Sequence, residues 1–184
     1  MTRLPGLPPG SLDPDQAALY DAIAGGPRAA GPQHFALTCA DGSLRGPFNA
    51  MLLAPGIGAA LQDLGAAIRY RGSLTDRCRE IAILLVAARW DSDFERESHE
   101  AVGSAAGLTD DELAALRRQD AGAFAGEEAA VARCVVDLLD GDLDDAAWAA
   151  AASSLGEAGV FELATLVGYY ATLALQLRVF RVGA

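Results

Sequence analysis

The sequence predicts an all-α protein, one helical bundle of seven to nine helices around a central helical hairpin. Three observations carry this. Apolar residues recur at spacings of three and four through most of the chain, the period of a helix with one buried face. Hydrophobic residues make up 52% of the sequence but aromatics only 7%, and the abundant alanine favours close-packed helices over a β-sandwich. No stretch reads as a strand, and there is no internal repeat and no linker between domains. At 184 residues the chain fits one domain with a sizeable core.

Residues 1 to 13 read as an extended arm rich in proline and glycine. Asp13-Pro14 supplies an N-cap and a first-turn proline for a helix through Leu19, Tyr20 and Ile23, which Gly25-Gly26-Pro27 stops. Arg28 to Gly46 is loop-like, with a turn signal at Asp41-Gly42. There Phe35 and Leu37 are candidates to pack inward, and His34 is more naturally a surface residue than a ligand. Gly46-Pro47-Phe48-Asn49 opens a short helix through Leu53 that Pro55 ends. From about Gly56 to Tyr70, Ile57, Leu61, Leu64 and Ile68 form one apolar stripe, expected to pack on a core. Thr75 or Asp76 caps the central helix, whose nearly unbroken apolar run to Arg89 or Trp90 requires cover on several sides.

Ser92 or Asp93 caps the next helix, ending near Gly107. Thr109 and Glu112 make a capping box for a short helix to about Gln119. Glu127 to Leu139 places Ala130, Val131, Cys134, Val135 and Leu138 on one face, with Cys134 as a small core residue. Gly141 ends it, a short helix surrounds Trp148, and Gly156 to Gly159 leads into a long apolar helix from Phe161 to Phe180.

The formal charge of −11 argues against nucleic acid or an anionic membrane surface as partner, because phosphate binding needs a basic footprint. All 14 basic residues are arginine, a compositional bias that lowers the weight of any one. Six of them, Arg69, Arg71, Arg77, Arg79, Arg89 and Arg96, read first as a solvated face balancing nearby acids and second as groups that orient an anionic substrate. Cys39, Cys78 and Cys134 are odd in number and widely spaced, which suits neither a disulfide framework nor a zinc knuckle. With no apolar leader and no uninterrupted run of ~18 apolar residues, the expectation is a soluble cytoplasmic protein.

Chemistry concentrates between Arg79 and Glu100. Glu80 sits inside the apolar run, the chain turns through Asp91, Ser92 and Asp93, and Glu95 and His99 follow four residues apart, on one face of a helix. Glu80 lies about nine residues before the break and His99 about seven after it, so two antiparallel helices bring them to within roughly 3 Å in height. There is no phosphate loop, no G-x-S-x-G elbow, no Cys-x-x-Cys and no His-Glu-x-x-His.

These residues carry a family resemblance. Glu80, the apolar run, Ser92-x-x-Glu95-x-x-x-His99 and Ala106-Gly107-Leu108-Thr109 resemble the carboxymuconolactone decarboxylase and alkylhydroperoxidase D-like superfamily. Gly46-Pro47-Phe48-Asn49 with Leu52 to Pro55, and Phe161-Glu162-Leu163 with Gly168-Tyr169-Tyr170, are similar to it too. The match spans roughly residues 46 to 181, so residues 1–45 read as an arm, helix and loop ahead of a decarboxylase-like helical domain at 46–184. The resemblance implies the all-helical alkylhydroperoxidase D-like fold, assembled as a homotrimer or homohexamer. The peroxidase branch carries Cys-x-x-Cys-x-x-x-His; here Ser92 and Glu95 stand at the cysteine positions, while Glu80 and His99 stand where its relay glutamate and histidine would. Thiol-disulfide chemistry needs two thiols that this site lacks.

The catalytic expectation is therefore Glu80, Glu95 and His99 acting by acid-base chemistry, without cofactor or metal, on a small lactone or carboxylic acid. His99 is the expected proton donor, Glu95 the group that orients it and holds it charged, and Glu80 a buried second donor. Two alternatives stay open. One is a purely structural i,i+4 pair with a hairpin-pinning Glu80 in a non-catalytic oligomeric relative. The other is a metal site, against which the single histidine counts.

Overall fold

The computed structural model describes residues 2–30 and 34–182. They form an all-helical protein: α1 (Pro14–Ala24), α2 (Pro27–Ala30), α3 (Pro47–Met51), α4 (Pro55–Tyr70), α5 (Asp76–Trp90), α6 (Asp93–Ala105), α7 (Asp110–Arg117), α8 (Gly126–Asp140) and α9 (Asp145–Phe180). Among the described residues the only β-type pairing is an isolated bridge between Thr38 and Leu44. The chain divides into two compact units, one of residues 1–71 with 175–184 and one of residues 72–174.

In the first unit the arm is held rather than loose. Asn49 on α3 accepts from the Leu7 N–H at 3.0 Å and donates to the Pro5 carbonyl at 3.1 Å, so one buried side chain satisfies two backbone groups of an otherwise irregular segment. Asp13 caps α1 in a capping box with Gln16. The loop-like reading of 28–46 needs amendment, because α2 extends through Ala30; residues 31–33 of that stretch lie outside the described residues.

The stripe expected to pack from α4 does so only in part, with Ile68 buried and Leu61 half-buried. Ile57 is 67% exposed and Leu64 also lies on the surface, while Gly58, Gln62, Gly65 and Ile68 are buried. The reason is close approach. A Cβ on Gly58 would stand 2.3 Å from the Met51 carbonyl oxygen and 2.8 Å from a Leu19 methyl, so the glycine face fits where the larger side chains cannot.

The second unit is organised on α5. Thr75 caps it by accepting from the Cys78 N–H, and every residue from Cys78 to Ala87 is buried. The helices α6, α7 and α8 pack against it, which provides the cover its apolar run demands. Asp91 ends α5 in the left-handed region (φ 51°) and the chain turns directly into α6. Thr109 and Glu112 form the expected capping box of α7, and Gly141 (φ 114°) ends α8. Within α9 the expected helix around Trp148 and the long final helix are distinct, separated at Gly156, whose φ of 69° and ψ of 163° are not helical. By length and composition α9 would suffice to cross a membrane, with a mean hydropathy of 1.4 in its most apolar window. A core helix meets the same test, and Leu163 and Leu166 of α9 are wholly buried.

Candidate active site

The hairpin of α5 and α6 decides which candidate residues meet. Glu80 is on the second turn of α5, among Ile81, Ile83 and Leu84, and none of its surface is exposed. His99 lies on the face of α6 turned toward α5. Its Nδ1 is 2.7 Å from Glu80 Oε2. With Glu80 ionised, Nδ1–H donates to the carboxylate, which fixes the ring and leaves Nε2 as the nitrogen for a reacting group. The other Glu80 oxygen lies 3.6 Å from Arg79 Nε, and Arg79 also pairs with Asp76 at 2.6 Å. Gly103, one turn beyond His99, packs closely on Leu108: a Cβ there would stand 2.8 Å from a Leu108 methyl, and at an ordinary 3.7 Å from the Glu80 Cβ.

Glu95 behaves otherwise. It is on the first turn of α6 and 3% exposed, yet neither carboxyl oxygen has a hydrogen bond of good geometry. Burial pushes its carboxyl up to about 8, against the opposing effect of the Ser92 hydroxyl. At neutral pH Glu95 is therefore mainly a neutral acid. The imidazole meets Glu80 rather than Glu95, and Glu95 is the carboxyl that burial raises. The i,i+4 spacing puts Glu95 and His99 on one face, but that face is pressed against α5, where the Glu80 carboxylate meets Nδ1 first.

Two neighbours were not assigned from sequence. Tyr170 on α9 packs edge-on against the His99 ring, with centroids 5.2 Å apart and an interplanar angle of 88°, and Tyr169 meets Tyr170 in the same manner. Nothing local in the sequence pairs Tyr170 with His99. Ser92, read from sequence as a helix cap, sits at the N-cap position of α6 without making a side-chain cap. His34 is exposed. Cys78 and Cys134 are buried free thiols, and burial raises both above the usual thiol range, so neither is predisposed to act as a thiolate.

The other arginines serve the scaffold. Arg77 joins Glu112 at 2.7 Å and Glu128 at 2.6 Å and donates to the Gly107 carbonyl. Arg89 pairs with Asp140 and Arg96 with Asp93. The reading of a face that balances nearby acids holds for these three.

The hairpin of α5 and α6 thus carries a buried Glu80–His99 pair and a second buried carboxyl, Glu95, on α6. The Carboxymuconolactone decarboxylase family model matches residues 55–138, so that segment is similar to this family, consistent with the resemblance to the carboxymuconolactone decarboxylase and alkylhydroperoxidase D-like superfamily. The match contains Glu80, Ser92, Glu95 and His99. Neither the curated proteins nor the solved structures yield a match.

Proposed function

We propose that the protein is a cofactor-independent, decarboxylase-like lyase that acts by acid-base chemistry on a small lactone or carboxylic acid. The observation that carries this is the buried 2.7 Å bond between Glu80 and His99. Decarboxylation needs an electron sink and a proton. In an unsaturated lactone acid, the carbon–carboxylate bond breaks, CO2 leaves, and the electron pair passes through conjugation onto the lactone carbonyl oxygen. His99 Nε2 then delivers a proton to carbon as the carbonyl re-forms, with Glu80 holding the ring and compensating the imidazolium charge. His99→Gln is expected to keep the fold and to lower turnover by about 10²- to 10⁴-fold on a lactone or carboxylic acid found by substrate screening. Nearly full turnover in that variant places the acid elsewhere.

A second reading, a non-catalytic oligomeric relative that binds a ligand, is favoured by the depth at which Glu80, Glu95 and His99 lie. It wins if no such compound is turned over and the variants only lose stability.

The chain's partners in this reading are its substrate and its own copies, as a homotrimer or homohexamer in the cytoplasm. Exposed Ile57 on α4 and Phe161, 74% exposed on α9, are the apolar surface that assembly would cover. Sedimentation should show an oligomer at micromolar concentration; a stable monomer of unchanged helicity would overturn this part.

A further inference from the structure

The part of α9 before Gly156 faces α8 across a cavity. From α8 it is lined by Ala130, Arg133, Cys134 and Asp137, and from α9 by Ala147, Ala150, Ala151 and Ser154. Each set follows the spacing of three, four and seven residues that puts side chains on one helix face. The α9 set holds nothing larger than serine, and a volume of about 130 Å³ is left between the two faces. The floor is apolar, with Ala130, Cys134 and Ala151 buried. The mouth is charged, with Arg133 exposed and Asp137 half-buried.

Unlike Arg77, Arg89 and Arg96, Arg133 has no ion pair among the described residues. Asp137 stands one turn further along α8, but an arginine four residues before an acid is in the less favourable order for pairing. Both charges are therefore left at the mouth. Burial raises the Cys134 thiol and the Asp137 charge raises it further, so that carboxylate acts on the cavity floor as well. A cavity of about 150 Å³ accommodates benzene, so this one has room for a branched group of about four carbons. A cation and an anion one turn apart above an apolar pocket match a ligand with both charges at one end and an aliphatic tail at the other.

We propose that this cavity binds a small zwitterion with a branched aliphatic tail, the chemistry of an aliphatic α-amino acid. Arg133 receives the carboxylate, Asp137 receives the ammonium group, and the tail lies over Ala130, Cys134 and Ala151. A ligand with a carboxylate alone meets the like charge of Asp137, and one with an amine alone meets that of Arg133, so the zwitterion is preferred to either. The site shares no residue with Glu80, Glu95 and His99 and does not depend on the lyase reading.

The test titrates L-leucine into the full-length protein, isotopically labelled at its alanine methyl groups, and follows the Ala130 and Ala151 signals by NMR. Wild type is expected to show saturable shifts with a Kd on the order of 1 mM. Isocaproate and isoamylamine, which keep the tail and one charge each, are expected to bind at least about tenfold more weakly. Arg133→Gln and Asp137→Asn should each weaken leucine binding by at least about tenfold. Ala150→Leu, a change at an exposed position of the lining, should abolish binding by filling the cavity. Circular dichroism establishes that each variant is folded, and the comparison of the three ligands needs only the wild-type protein, so it decides even where a variant fails to fold. The proposal is overturned if leucine gives no saturable shift up to about 30 mM, if either single-charge ligand binds as tightly as leucine, or if any folded variant binds leucine as well as wild type.

Discussion

Two groups of ionisable residues flank α5, and they are built on opposite principles. In one, Arg77, Glu112 and Glu128 lie partly in water and every charge meets its opposite within 2.7 Å. In the other, Glu80, Glu95 and His99 are buried, and only the Glu80 carboxyl meets a basic side chain at hydrogen-bond distance. The first group joins α5 to α7 and α8. Its net worth is modest, because solvent competes for each partner. The second holds the Glu95 carboxyl out of water, where burial raises it and the Ser92 hydroxyl acts in the opposite direction. The difference separates exposed charges that fasten helices together from ionisable groups held out of water.

The sharpest way to break this comparison is pH. The Glu95 carboxyl stands at about 8 in the folded protein against an ordinary value of 4.5. Between those values the folded state keeps a proton that the unfolded state has lost, so this contribution is fully present below pH 4.5 and is lost as pH rises through about 8. Denaturant titrations should show stability falling with pH over that window by up to roughly 1.4 kcal/mol per unit, and Glu95→Gln should remove the slope. A wild-type profile unchanged by that substitution would mean that Glu95 is solvated.

The second test compares loss of a partner in the two groups. Glu80→Leu leaves His99 Nδ1 buried without an acceptor, and should lower the unfolding free energy by on the order of 3 kcal/mol in urea titrations near neutral pH. Equal stability of this variant and wild type would make the Glu80–His99 bond incidental. The smallest effect belongs to the fastener. Glu112→Gln preserves the shape of the α7 capping box while removing one charge from Arg77, and should cost about 1 kcal/mol or less, diminishing as salt is added. A loss as large as that of Glu80→Leu would erase the distinction between the two groups.

Much of this was written in local sequence. Thr75, Thr109 with Glu112, Asp13 and Gly141 mark helix ends because caps and left-handed positions depend on neighbours a few residues away. The height match of Glu80 and His99 followed from helix rise alone, and their bond is its consequence. Local periodicity failed at α4, where Ile57 and Leu64 read as a core stripe but Gly58 and Gly65 face inward. Periodicity identifies the more hydrophobic face, whereas the distance between helix backbones selects the face that fits.

The contact of His99 with Glu80 rather than Glu95 marks the same boundary. Sequence alone determined an all-helical chain, a polar break between α5 and α6, and two carboxyls and an imidazole on facing helices. Only tertiary structure decided which carboxyl receives the imidazole N–H and which is left desolvated. Spacing brings groups within reach, but protonation follows from how much water and how many hydrogen-bond partners remain once distant helices have closed over them.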